Sequence, residues 1–365
     1  MYTRKIILNL FFLCSLGVFA QDVHFSQLNQ SQLLINPANA GFFDGYARAV
    51  LNYRTQWTAG SAPYQTIMAA FDANAGIKKS RSAFMGFGGY IYQDKASTGN
   101  TSWKTLNADL MANMVVSIGK SAKLSGAIGA GIGQTTTNNS NYSWGVQYDG
   151  SQFNTNLPNN ESFNNSRNFT WFDLSSGVNL DIDKITQQFT HNNRYHLRIG
   201  FAGYHLNQPK LVFTTNDAQI IARRFVISSQ ARFDIKESPV SILPSVIYMW
   251  QGQAKQLNLG TFMRYRFKDE SKTTGLKSET ALHIGCYYRV GDAIVPQFML
   301  EFKSIMFGFS YDQTVSGYKQ ANRGLGAFEV SLSWTNLRNS LFKQRREFST
   351  GGKGTPPPTS NAKDN

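Results

Sequence analysis

Histidines, a lone cysteine and a glycine run are the places where this 365-residue sequence could carry chemistry. None has the spacing that chemistry requires. His24, His191, His196, His205 and His283 share no ligand spacing, and neither an HExxH pattern nor a paired CxxC occurs. His191 and His196 stand five apart beside asparagines, as solvated turn histidines do. No G-x-S-x-G elbow is present. Residues 126–133 alternate Gly with Ala and Ile, which could suggest a phosphate loop. They sit inside a period-two stretch with no helix after it, so the glycines read as room for close packing. The Asn-Xaa-Ser/Thr triplets at Asn138, Asn141, Asn164 and Asn168 belong to an Asn-rich loop. The expectation is a protein that is not an enzyme, with no catalytic residue, no metal site and no cofactor.

Charged residues recur at a different and more informative spacing. Arg48, Arg54, Asp109, Arg232, Arg264, Arg289, Glu301 and Glu329 each lie on the polar side of a segment whose alternate positions are apolar. Around Arg48 and Arg54 the apolar set is Ala47, Ala49, Leu51, Tyr53 and Trp57. Around Asp109 it is Leu106, Ala108, Leu110, Ala112, Met114, Val116 and Ile118. Leu257, Leu259, Met263, Tyr265 and Phe267 oppose Arg264, while Leu282, Ile284, Cys286, Tyr288 and Val290 oppose Arg289. Phe298, Leu300 and Phe302 flank Glu301, and Phe328, Val330, Leu332 and Trp334 flank Glu329. Helices would scatter these residues around an axis, whereas strands gather them on one face.

About fourteen such segments fill residues 46–335. Many exceed the usual strand of ~5–6 residues and match the ~9–11 that cross a bilayer at a tilt. Tight turns at Gly119-Lys120, 236–239 and Ser304 alternate with long connections at 135–167, 206–222 and 313–323. The connection 184–193 breaks that rhythm. The fold expected is all-β, a transmembrane outer-membrane antiparallel β-barrel of about 14 strands. The rival, a soluble β-sandwich or propeller, fits less well, because charges mark the polar face on strand after strand. Trp57, Trp103, Trp171, Trp250 and Trp334 fall near strand ends, where an aromatic girdle would stand.

Composition agrees. The chain is 41% hydrophobic, 13% aromatic and only 16% charged, yet its mean hydropathy is −0.32. Aromatic richness excludes a disordered chain, and no apolar run reaches the ~18–20 residues of a spanning helix. Residues 1–20 read as a cleaved secretory signal, with Arg4 and Lys5 before an apolar core and Val18-Phe19-Ala20 before Gln21. Leu13 before Cys14 argues against a lipoprotein site. One remaining cysteine, Cys286, excludes an intramolecular disulfide. The formal net charge of +14 becomes +12 without Arg4 and Lys5, and the cations are spread along strand faces. Nucleic acid is therefore not an expected partner.

The domain organisation expected is a signal at 1–20, a periplasmic, plug-like segment at 21–45, the barrel at 46–335, and a flexible basic periplasmic tail at 336–365. The first segment would pack into the periplasmic mouth and narrow or plug the pore. Three further features bear on function. In the loop 135–167, Tyr142, Trp144, Tyr148 and Phe153 stand among Asn and Ser, the mixture of an adaptable protein-binding surface. The tail sets six cations against two acids, and its Lys343, Arg345 and Arg346 suit an anionic periplasmic partner or outer-membrane lipids. The arginines of the polar face would also suit a porin for small anions.

One resemblance organises these readings. His24-Phe25-Ser26-Gln27, then Ile35-Asn36-Pro37-Ala38-Asn39-Ala40-Gly41, then Asn52-Tyr53-Arg54-Thr55-Gln56-Trp57 open it. It continues through Gly88-Gly89-Tyr90-Ile91-Tyr92-Gln93-Asp94-Lys95, Trp144-Gly145-Val146-Gln147-Tyr148-Asp149 and Phe172-Asp173-Leu174-Ser175-Ser176-Gly177. Tyr204-His205-Leu206, Asp292-Ala293-Ile294-Val295-Pro296, Tyr311-Asp312 and Gly326-Ala327-Phe328-Glu329 complete it. In order and spacing these resemble the PorP/SprF family of type IX secretion membrane proteins, closer to its SprF-like members. The resemblance implies an outer-membrane barrel that helps secrete, or hold at the surface, one large adhesin with a C-terminal sorting domain, as in gliding motility. For other members it implies a periplasmic peptidoglycan-binding or secretion-motor partner. It marks Phe25, Ser26, Gln27, Asn36, Pro37, Ala38 and Gly41 as family-motif positions. The cysteine-free run to Asn365 departs from the short Cys-Pro tail of many members.

Overall fold

A computed structural model describes residues 22–56, 63–75, 82–98, 101–138, 145–154, 156–158, 167–186, 193–214, 217–268, 280–317 and 325–336. The signal region, Trp57, Tyr142, Trp144 and the tail with Lys343, Arg345 and Arg346 lie outside these residues.

Fourteen strands close into a barrel, joined in order with one hairpin set aside. They are β1 (Ala47–Gln56), β2 (Tyr64–Ala75), β3 (Ala83–Thr98), β4 (Thr101–Ser117), β5 (Ala122–Asn138), β6 (Arg167–Thr186) and β7 (Asn193–Tyr204). After a two-stranded hairpin of β8 (Lys210–Thr214) and β9 (Asp217–Ile220) come β10 (Arg224–Asp234), β11 (Val240–Gln251), β12 (Ala254–Lys268) and β13 (Thr280–Arg289). The circuit ends with β14 (Ala293–Phe302), β15 (Ile305–Thr314) and β16 (Leu325–Asn336). All pairings are antiparallel, and β1 pairs with β16 from Ala47↔Asn336 to Gln56↔Ala327. No open edge remains at that seam, so the backbone is satisfied inside the bilayer. The expected all-β barrel and its strand number hold. The hairpin is an addition within the connection 206–222.

The period-two pattern sets the two faces. Leu110 is 76% and Ile128 72% exposed on the outside, against 0% for Glu329 on the inside. With Leu51, Phe71, Phe87, Phe172, Phe201, Ile284 and Leu332 also exposed, the outer face is an apolar band suited to lipid. Trp103 and Trp334 stand exposed near opposite strand ends, as the girdle expectation requires. Trp171 does not. It is 8% exposed on the inner face, because at its register β5 presents Gly133, whose missing side chain leaves room for the indole.

The inside is a packed core. Inward-facing Met68, Tyr90, Met111, Val226, Ile247, Phe262, Tyr287, Val295 and Met299 form one apolar cluster with Phe25, Leu28, Leu33, Leu34 and Ile35. The inner face is therefore polar at its rims and apolar at mid-height.

Candidate functional site

The segment ahead of β1 fills the barrel. Its middle makes one helical turn, α1 (Gln32–Ile35), then a 3₁₀ turn at Pro37–Asn39. Asn36 caps the second turn, its side chain accepting from the Ala38 N–H at 2.9 Å, and Pro37 starts it with φ preset. The turns throw Leu33, Leu34 and Ile35 onto the apolar belt. Each such side chain stabilises by about 1.5–3 kcal/mol when fully taken from water.

Strand direction fixes the path. Asp22 meets Gln251, His205 and Arg224, at the end of the barrel opposite the chain's entry into β1. Asp44 pairs with Arg194 and Tyr46 donates to Asn336, at the entry end. The segment thus runs the height of the lumen, from the loop-rich rim down to the rim where β1 starts. That is deeper than a periplasmic mouth, because its apolar residues find their partners only at mid-height. Gly41 and Gly86 let it pass close to the wall. Gly41 has φ +64°, and a side-chain carbon there would lie 2.6 Å from the Gly86 Cα.

Two grips hold the segment. The first is ionic. Glu329 accepts from the Ser26 N–H at 2.6 Å and the Gln27 N–H at 3.1 Å, while Gln27 donates to the Glu329 carbonyl at 3.0 Å. The Ser26 hydroxyl donates to Asp312 at 2.9 Å. Arg54 binds Asp312 at 3.0 Å and Glu329 at 3.3 Å, and Arg289 reaches Asp312 at 2.5 Å and Asp292 at 2.6 Å. The second grip is made of amides. Asn36 donates to Asn179 at 2.8 Å and to the Val178 carbonyl at 3.0 Å. Asn113 donates to the carbonyls of Ala38 at 2.8 Å and Ala40 at 3.0 Å, and Asn179 to Asn39 at 3.1 Å. Phe25 lies in the apolar belt and the Gly41 N–H donates to Asp72 at 3.0 Å.

At the loop-rich rim a third, smaller cluster holds the segment's start. His205, itself left-handed at φ +55°, contacts Asp22 at 2.6 Å and Asp173 at 2.9 Å. Burial alone would lower the His205 pKa, but the two carboxylates push it up to about 10. Burial would raise Asp22, yet His205⁺ and Arg224 hold it well below the usual carboxylate range.

The candidate lumen charges all face inward, and most are ion-paired. Arg48 pairs with Asp72 at 2.9 Å, Arg232 with Asp234 at 2.8 Å, and Arg264 with Glu301 at 2.9 Å. Arg54, Arg289 and Glu329 belong to the ionic grip. Asp109 is separate, its side chain folded over Gly131. Sequence pattern identified these charges individually; Asp312 entered only through the family resemblance, Asn113 and Asn179 were not marked as candidates, and the apolar positions opposite the segment were missed. The available signal was apolar residues on both parities, as at Met111 and Val115 in β4.

Of the candidate loop residues, Tyr148 and Phe153 are described. They bridge across a short turn with ring centroids 5.3 Å apart. Asp149 accepts from the Ser151 and Gln152 N–H groups, each at 2.9 Å, and Gln147 donates to the Leu157 carbonyl at 2.8 Å. The result is a self-supported knob with Val146, Tyr148 and Phe153 exposed. Among the described residues no group of three or more His, Cys, Asp or Glu is placed to hold a metal ion.

A family model described as type IX secretion system membrane protein PorP/SprF matches residues 17–334. No curated protein sequence matches the chain. Solved barrels are similar in outline. The TodX deltaS2S3 mutant monoaromatic hydrocarbon channel shares 8% identity over 83% of this chain and 93% of that one, with a TM-score of 0.49. The KdgM porin shares 5% over 79% and 98%, with a TM-score of 0.34. The translocator domain of autotransporter NalP from Neisseria meningitidis shares 9% over 85% and 95%, also with 0.34.

Proposed function

Because the chain belongs to the PorP/SprF family of type IX secretion system membrane proteins, and so is an outer-membrane component of that system, we propose that it assists the secretion or surface attachment of a large adhesin-like cargo, by binding and without covalent chemistry. The observation that carries this reading is the filled lumen. A segment that covers an apolar belt and satisfies buried charges at one height and buried amides at another is built to stay, since its departure would expose that belt to water. The barrel then offers its rims and loops, with the Tyr148–Phe153 knob as the outer contact surface. Exposed aromatics on a rigid loop bind with little ordering cost. Residues 21–45 serve as the plug, and the tail with Lys343, Arg345 and Arg346 meets periplasmic machinery.

The alternative is a porin for small anions. Against it, most of the lumen arginines are already neutralised by carboxylates, so they leave no cationic ladder for a solute. Deleting the gene and comparing the surface proteomes tests the first reading. One large exported protein should vanish from the surface while nutrient uptake persists. An unchanged surface set would sink it, and a steady anion-selective conductance from the purified protein would favour the porin.

A further inference from the structure

The lipid-facing wall is hollow beside one glycine of β5. Gly129, Gly131 and Gly133 lie against Ser175, Asp109 and Trp171, so their missing side chains make room for neighbours. Gly126 is different. It is exposed on the outer face, and a side-chain carbon added there would meet nothing within 4 Å. Around it the wall sinks into a groove of about 430 Å³. Ala112, Gly126 and Ser176 make its floor, and Met114, Ile128 and Phe201 stand at its flanks. The ladders explain the shape. Gly126 lies between Met114 and Val178, and Ile128 between Ala112 and Ser176, so small and large outward side chains alternate from strand to strand.

The same strands place two cations together at the rim where β1 starts. The Asp183 N–H donates to the Ser121 carbonyl at 2.8 Å, which carries the β5–β6 pairing one residue past Ala122↔Ile182. Lys184 is thereby level with Lys120, at the tip of the tight β4–β5 turn. Both are exposed, and among the described residues neither pairs with an acid. Like charges set opposite each other repel, and an anion between them removes that cost. Tyr195, exposed and opposite Lys184 on β7, marks the membrane–water interface at this height.

The spacing from lysines to groove matches a lipid. Six residues separate Val178, level with Gly126, from Lys184. That is roughly 20 Å along the strand and about 15 Å along the membrane normal at the usual tilt, the depth of one leaflet. The tight turns at Gly119-Lys120, 236–239 and Ser304 all lie at this rim, which is the periplasmic one in outer-membrane barrels.

We propose that this face binds one anionic glycerophospholipid of the periplasmic leaflet, with an acyl chain in the groove and its phosphate between Lys120 and Lys184. A flexible methylene chain fills an apolar hollow that rigid neighbours would leave without contacts. The phosphate offsets both cations at once. This goes beyond the secretion reading and does not depend on it.

Native mass spectrometry of the full-length protein in detergent, titrated with phosphatidylglycerol or phosphatidylcholine, tests the site. The parent should take up one phosphatidylglycerol about tenfold more tightly than phosphatidylcholine. Gly126→Leu fills the groove and should weaken that binding about tenfold. Lys120→Gln combined with Lys184→Gln should erase the preference between the two lipids. Lys255→Gln, at the opposite rim, should bind as the parent does. Ser176→Leu fills the same groove from β6 should the Gly126→Leu barrel not fold, and heat-modifiable migration on gels checks folding. Equal binding of the two lipids by the parent, parent-like binding by a folded groove-filled variant, or an intact preference without the lysines overturns the proposal.

Discussion

The two grips on the internal segment use opposite chemistries. At Ser26 and Gln27 the wall offers Arg54, Arg289, Asp312 and Glu329, and at Asn36–Asn39 it offers Asn113 and Asn179 with backbone carbonyls. Both sites are buried, but they differ in what they cost to break. Removing one member of a buried ion cluster strands a charge, whereas removing an amide strands a dipole. The ionic grip is thus the stronger lock and the amide grip the one indifferent to pH and salt.

Deleting residues 22–45 would abolish the distinction and should have the largest effect. The barrel would lose its core filling, show steady conductance in lipid bilayers, and melt well below the parent. Silence in the bilayer would mean that the segment is not what closes the lumen. Next comes Arg54→Ala, which leaves Asp312 and Glu329 short of a cation and should destabilise by about 3–5 kcal/mol in denaturant titrations. Asn36→Ala should cost about 1–3 kcal/mol by the same measurement. A larger loss for Asn36→Ala than for Arg54→Ala would reverse the ranking of the grips.

The His205 cluster gives a smaller effect with a defined sign. Its raised pKa means that the stabilisation is complete below about 6.5, weakens as pH rises, and is gone above about 10. Labelling of a Val23→Cys variant, divided by that of a free thiol at the same pH, should therefore speed up between pH 7 and pH 10. His205→Gln should remove that dependence. Smallest for stability is Tyr148→Ser, expected to change melting by less than about 0.5 kcal/mol while weakening cargo retention at the surface.

Much of the barrel was legible because period two is a local signal. Leu106–Ile118 states its faces residue by residue, and the charges from Arg48 to Glu329 fell on the inner side accordingly. The packed interior was less legible. Whether Met111 or Ile247 faces water or Phe25 depends on a segment more than 65 residues away in sequence for Met111 and more than 200 for Ile247. Trp171 looked like a girdle residue because its inward turn depends on Gly133 across a ladder, and sequence pattern does not give register. The groove at Gly126 was invisible for the same reason: its floor and flanks come from neighbouring strands brought level by their ladders.

The seam between β1 and β16 also sets an order of assembly. Those strands are the first and last of the barrel, so the cylinder is not closed until the whole chain has been laid down. The segment that fills it is joined directly to β1 and is present from the start. The sheet can therefore be wound round it like cloth round a spindle, each strand taking up contacts as it arrives. No threading through a finished ring is needed.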